Sequence, residues 1–184
     1  MLFNVGVIAW RTVHAGRGAR VKIAAVGAVL STFALLCAGC QNASGPSPDI
    51  SPSAEPCTPH IIDGTLPSWA QAGFSDPRIN YELGRGRGIA AILFKYPLLV
   101  PPSTSARNKI LWVSHMPTDG SPLLIEAQRM IGTRQVGAPV RGQVEGGPGP
   151  SIVNLPVADC WRLSLRWSGH RDSLDVAYVA NGAA

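Results

Sequence analysis

Trp161-Arg162-Leu163-Ser164-Leu165-Arg166-Trp167 is the stretch that decides the fold. Trp161, Leu163, Leu165 and Trp167 fall on one face, and Arg162, Ser164 and Arg166 on the other. Side chains alternating with period two describe a β-strand with one face on a core and the other in water. Residues 168–172 (Ser-Gly-His-Arg-Asp) read as a turn, after which Leu174, Val176 and Tyr178 resume the alternation. The two runs predict a C-terminal β-hairpin.

Working upstream, shorter strand candidates recur between turn signals. Residues 88–94 (GIAAILF), 98–100, 108–115 (NKILWVSH) and 151–155 are β-branched, apolar or aromatic. Residues 123–127 alternate, and Pro122 and Gly132 argue against extending that run into a helix. Val136, Val140 and Val144 are interrupted by Gly137, Pro139 and Gly142, as in an edge or irregular strand. Seven or eight short strands at this spacing predict an all-β domain over 60–184, an immunoglobulin-like β-sandwich with a small β-barrel as the alternative. Residues 68–87 carry no strand pattern and read as a long irregular lead-in, glycine-rich at Gly84, Gly86 and Gly88.

The 184-residue chain has a formal net charge of +5, but the charge is unevenly placed. Arg11, Arg17, Arg20 and Lys22 precede Cys40, and beyond it twelve basic residues face eleven acidic ones. A phosphate-binding surface needs clustered Lys and Arg on the folded part, so nucleic acid is not an expected partner. Residues 23–36 (IAAVGAVLSTFALL) are apolar and uncharged behind a positive flank. Fourteen residues are too few to cross a bilayer core, which takes about 20, and they suit the apolar run of a signal peptide over 1–39.

Leu36-Cys37-Ala38-Gly39-Cys40 resembles the lipobox of bacterial lipoproteins, although Cys37 stands where that motif usually has Leu. The resemblance implies a diacylglyceryl group on the Cys40 thiol, cleavage before Cys40, and residence on the extracytoplasmic face of the cell membrane. Residues 41–59 hold five Pro and four Ser with Ile50 as the one large apolar residue, so 40–59 reads as a lipidated cysteine followed by a disordered tether. Cys57 and Cys160 then remain as an even pair in an oxidising compartment and predict a disulfide that pins the start of the domain to its penultimate strand.

Residues 108–113 (NKILWV), 120–123 (GSPL), 146–151 (GGPGPS) and 160–163 (CWRL) are similar to stretches of uncharacterised exported lipoproteins of actinobacteria, mycobacteria among them. The similarity covers roughly residues 67–179. It implies an exported, lipid-anchored β-sandwich and carries no activity.

Candidate sites are few. Ser168, His170 and Asp172 lie close together, but no G-x-S-x-G elbow surrounds a serine, and the residues read as a polar hairpin tip. No catalytic residue and no cofactor is predicted, and the chain is not read as an enzyme. His115 and Met116 are ligand types suited to extracytoplasmic copper, without the spacing of a metal site. Residues 146–150 (GGPGP) lack the Gly-Lys-Ser/Thr ending of a phosphate loop and read as a rigid connection. Trp112, Trp161 and Trp167 belong in the core, whereas Trp69, Arg85 and Arg87 are the candidate partner contacts. The expectation is a non-catalytic interaction module of the cell envelope, with a protein or wall partner. A metal or small-ligand carrier is the alternative, and an envelope hydrolase a more distant one.

Overall fold

A computed structural model describes residues 11–12, 55–103 and 107–182. Of the expected signal peptide only Arg11 and Thr12 are described, and the expected lipidation site Cys40 and most of the expected tether lie outside the described residues. Among the described residues eleven strands run in chain order: β1 (Arg11–Thr12), β2 (Ile62–Thr65), β3 (Arg78–Leu83), β4 (Ile89–Leu93), β5 (Leu98–Val100), β6 (Lys109–Ser114), β7 (Leu123–Ile131), β8 (Arg134–Val144), β9 (Pro150–Ile152), β10 (Cys160–Trp167) and β11 (His170–Ala180). One sheet has the order β1-β8-β7-β10-β11-β5 and the other β2-β3-β4-β6-β9. Neighbours are antiparallel except β11 and β5, which run parallel. The sheets do not close on one another, so the fold is the expected β-sandwich and not the alternative barrel. Among the described residues no helix is long and apolar enough to cross a membrane.

The core forms where the inward rows of both sheets meet. Trp161, Leu163, Leu165 and Trp167 of β10 are buried, as their alternation requires, and face Ile89, Ala91, Leu93, Ile110 and Trp112 of β4 and β6. Each buried indole N–H has an acceptor: Ser151 Oγ for Trp112, the Val157 carbonyl for Trp161 and Ser114 Oγ for Trp167. That pairing matters because a buried donor left without a partner costs about 1–3 kcal/mol.

Three local readings are corrected. The turn of residues 168–172 shrinks to Ser168-Gly169, with φ of 46° and 77° and Trp167 opposite His170. Two consecutive positive φ values match the twist of a two-residue hairpin loop, so His170, Arg171 and Asp172 are strand residues. The irregular lead-in holds a 3-10 turn (Ser68–Ala70) and all of β3. Ile79, Tyr81 and Leu83 of β3 face away from the core, while the buried Glu82 faces Ala91 on β4. With a carboxylate turned inward, β3 does not look half-buried by its pattern. The outer face of this sheet is in turn covered by Leu66, Trp69, Ala70 and Phe74.

The third concerns residues 55–59, grouped by composition with the tether. They lie as a strap across the outer face of the first sheet. The Arg162 Nη2 donates to the Glu55 and Pro56 carbonyls, and Cys57 N–H donates to the Gly132 carbonyl. Thr58 N–H donates to Asp175, and Cys57 is disulfide-bonded to Cys160, as expected. The strap explains why Met130, paired with Cys160 on an outward row, is buried.

β8 has the predicted irregularity. Gly137, Ala138 and Pro139 stand opposite the single residue Gln128, and Gly137 has φ +72°. The Gln128 amide fills the gap by donating to the Val136 and Gly137 carbonyls. The sandwich thus has two distinct ends. The glycine-rich end carries residues 84–88, 115–122, 145–149 and the Ser168-Gly169 turn. The strap end carries residues 94–97, 132–133, 153–159 and the last residues of β11.

Candidate functional site

Most sequence-predicted site residues meet at the glycine-rich end. His115 N–H donates to the Gly88 carbonyl at 2.9 Å, and the His115 ring stacks on Trp69 with centroids 4.8 Å apart. Met116 Cγ stands 3.7 Å from where a Cβ on Gly88 would lie. The glycine-rich loop carries Arg85 and Arg87, the latter at φ +55°. His115 is therefore a stacking partner, and among the described residues no three His, Cys, Asp or Glu come together as a metal site would need.

The organising residue here is one the sequence reading placed in a turn. Asp172 accepts hydrogen bonds from the Gly86 N–H at 2.8 Å and the Gly88 N–H at 2.9 Å. A Cβ on Gly84 would lie 2.3 Å from Asp172 Oδ2, so only glycine lets the loop close on this carboxylate. Ser168, His170 and Asp172 are not assembled into a triad. The Ser168 hydroxyl donates to Asp119 Oδ1 at 2.8 Å, the His170 ring lies 5.7 Å from that of Trp167, and Asp172 serves the glycine loop. Asp119 also binds Ser121, and these bonds from Ser121 and Ser168 hold its carboxyl down at about 2.

Beneath the loop lies a charged corner. Asp175, 1% exposed, accepts from Arg162 Nε at 2.8 Å, Arg162 Nη2 at 3.0 Å, Arg85 Nη2 at 2.9 Å and Thr58 N–H at 3.0 Å. Burial works to raise its pKa, but the Arg162 hydrogen bonds and the Thr58 N–H outweigh it, and the carboxyl stays below its usual range. Arg85 also pairs with Glu55, tying the loop to the strap.

Glu82 borders the same corner. Its Oε1 accepts from the His60 N–H at 3.2 Å, while Oε2 is buried without a hydrogen-bond partner among the described residues. Desolvation dominates and pushes its pKa up to about 7, against the pull of the His60 and Asp175 N–H groups. A cleft of about 240 Å³ runs past Glu82, bordered by Thr58, His60, Arg85, Arg87 and Asp175.

Of the candidate contacts, Trp69 is half-buried and shared with His115, Arg85 is committed to Asp175 and Glu55, and Arg87 is exposed. Sequence reasoning missed Glu82 and Asp175, and took Asp172 for a turn residue. The usable signal was the alternate-glycine spacing of Gly84, Gly86 and Gly88, which marks a backbone approached closely by another group. Residues 146–150 connect β8 to β9, with the Gly149 carbonyl accepting from Trp112 N–H, as a rigid connection should. Compared with known proteins, the chain matches no family profile, no curated protein and no solved structure.

Proposed function

We propose that this protein is a non-catalytic binding module held at the outer face of a bacterial membrane by a lipid on Cys40. The observation that supports the address most directly is the Cys57–Cys160 disulfide, because such bonds persist in oxidising compartments outside the cytosol. It agrees with the apolar run, the lipobox and the likeness to actinobacterial lipoproteins. The non-catalytic reading is supported by what the polar side chains do. Asp172 and Asp175 are tied up by main-chain N–H groups and arginines, and Ser168 by Asp119, so each works as a structural clamp.

Removal of residues 1–39 also takes β1 away from β8. The edge then exposed is guarded by Arg134, Arg141 and Pro139, residue types that discourage strand-to-strand aggregation. The test is an intact mass of the protein extracted in mild detergent without reductant. A mass beginning at Cys40 with a diacylglyceryl group and lacking two hydrogens is the expected result. An unlipidated species cut elsewhere overturns the reading.

A small-ligand carrier is a second reading, favoured by the buried, unpartnered Oε2 of Glu82 beside its cleft. Extra non-covalent mass in the native spectrum of the wild type, lost in Glu82→Ala, is the outcome it requires.

A further inference from the structure

The geometry points to a second membrane contact: the strap end of the sandwich rests on an anionic lipid surface. The inference depends on the lipid-anchored reading and extends it to the folded domain. Five large apolar side chains at this end are between 37 and 48% exposed: Phe94, Tyr96, Ile131, Val157 and Val179. The strand registers put them at one end. Ile131 follows Met130, which pairs with Cys160, and Val179 lies two residues beyond Ala177, which pairs with Cys160 from the other side. Phe94 and Tyr96 lie on the connection from β4 into β5, whose Leu98 pairs with Tyr178. Val157 receives the indole N–H of Trp161 on its carbonyl, so its side chain is left at the surface while its backbone is held.

Cations accompany these side chains. Lys95, Arg107, Lys109 and Arg134 flank the same end, and none has a carboxylate partner among the described residues. Of the acidic side chains here, Asp159 is paired with Arg129 at 2.7 Å, and Asp76 accepts the Arg78 N–H that opens β3 at 3.0 Å. Lys109 Nζ sits 4.6 Å over the Phe94 ring, so aromatic and cation are presented together. Aromatic rings with Lys and Arg at one level are what an interface between water and anionic headgroups selects.

The chain's route supplies the occupant. It enters the fold at Glu55, between Arg162 of β10 and Arg85 of the glycine-rich loop, and runs on to Cys57, which is fastened to Gly132 and Cys160 at the strap end. Fourteen residues separate Cys40 from Glu55, a reach of at most about 50 Å. A lipid on Cys40 therefore keeps the domain within that distance of the bilayer. Tethering raises the local concentration of the surface enough for a weak contact to be occupied.

The mature lipoprotein is reconstituted in phosphatidylcholine vesicles with and without phosphatidylglycerol, each carrying brominated acyl chains, as Tyr96→Trp and Met116→Trp variants. The expected result is bromine quenching of the new tryptophan at position 96 in the anionic vesicles and none at position 116, which lies at the glycine-rich end. Lys95→Gln and Lys109→Gln each shift the docked–undocked equilibrium about fivefold toward the undocked state. Protein that floats with the vesicles but shows no quenching at position 96, or equal quenching at both positions, overturns the docking and leaves the anchor intact. Protein that does not float, with a mass lacking the lipid, overturns the anchored reading and the docking with it.

Discussion

The two ends of the sandwich are built on different principles. At the glycine-rich end, carboxylates reach across the fold to main-chain N–H groups. Asp172 closes the 84–88 loop, and Asp119 binds Ser121 and the Ser168 turn. The carboxylates of Asp172 and Asp119 are committed to the loops' own shape. At the strap end, apolar and basic side chains stand outward, and the structure beneath them is secured by Asn108, whose amide bridges Leu99 and Asn154, and by the Tyr178 hydroxyl on the Val153 carbonyl. One end spends its chemistry on shape; the other keeps it at the surface. The lesson is that a carboxylate beside a glycine-rich loop serves the shape of that loop.

The sharpest way to break this comparison is at the strap. A Cys57→Ser, Cys160→Ser variant opens a loop spanning 103 positions and should lose about 4–5 kcal/mol of stability, measured by guanidinium unfolding. Retained stability would mean that the strap's hydrogen bonds suffice without the covalent link.

Glu82, between the two ends, comes next. Its pKa is raised from 4.5 to about 7, so the folded state holds a proton that the unfolded state releases in that window. Stability therefore falls as pH rises from about 4.5 and levels off above about 7, by up to about 3 kcal/mol. Asp175 acts in the opposite sense: its lowered pKa stabilises the fold above the usual carboxylate range, and that contribution is lost as pH falls through the folded value. A maximum in mildly acidic solution is expected, and Glu82→Gln should flatten the decline above it in urea melts run across pH. An unchanged slope in that variant would show that another group carries the proton.

A smaller loss follows from Gly84→Ala. The new Cβ meets the Asp172 carboxylate, and a cost of about 1–3 kcal/mol is expected, with amide exchange accelerated in the 84–88 loop and unaltered at residues 94–97. At the other end, Phe94→Ser should change stability by under about 0.5 kcal/mol by thermal unfolding, because the ring is largely at the surface. A large loss there would place Phe94, which stacks near Phe74, in the structural part of the outer cluster.

Legibility followed burial. β10 could be read because its four apolar residues are all inside and its neighbours outside, and the cysteine pair could be read because compartment and parity leave one pairing. β3 could not, since Glu82 points inward and Ile79, Tyr81 and Leu83 outward, the reverse of a half-buried strand in water. Asp172 was hidden for a related reason. A tight turn of two residues leaves it in a strand, and its partners lie 84 and 86 positions away. Nothing local to Asp172 announces a bond to a distant glycine loop.

The disulfide has a mechanical consequence. β2, the first strand of the second sheet, lies at an edge, where a pull on the preceding chain would unzip hydrogen bonds one at a time. Because Cys57 is bonded to Cys160, tension arriving at Glu55 is diverted into β10, which is flanked by β7 on one side and β11 on the other. Extracting that strand requires its two ladders to shear together. The fold is thus loaded through a strand braced on both sides, and the edge that would peel first lies downstream of the clamp, shielded from the force.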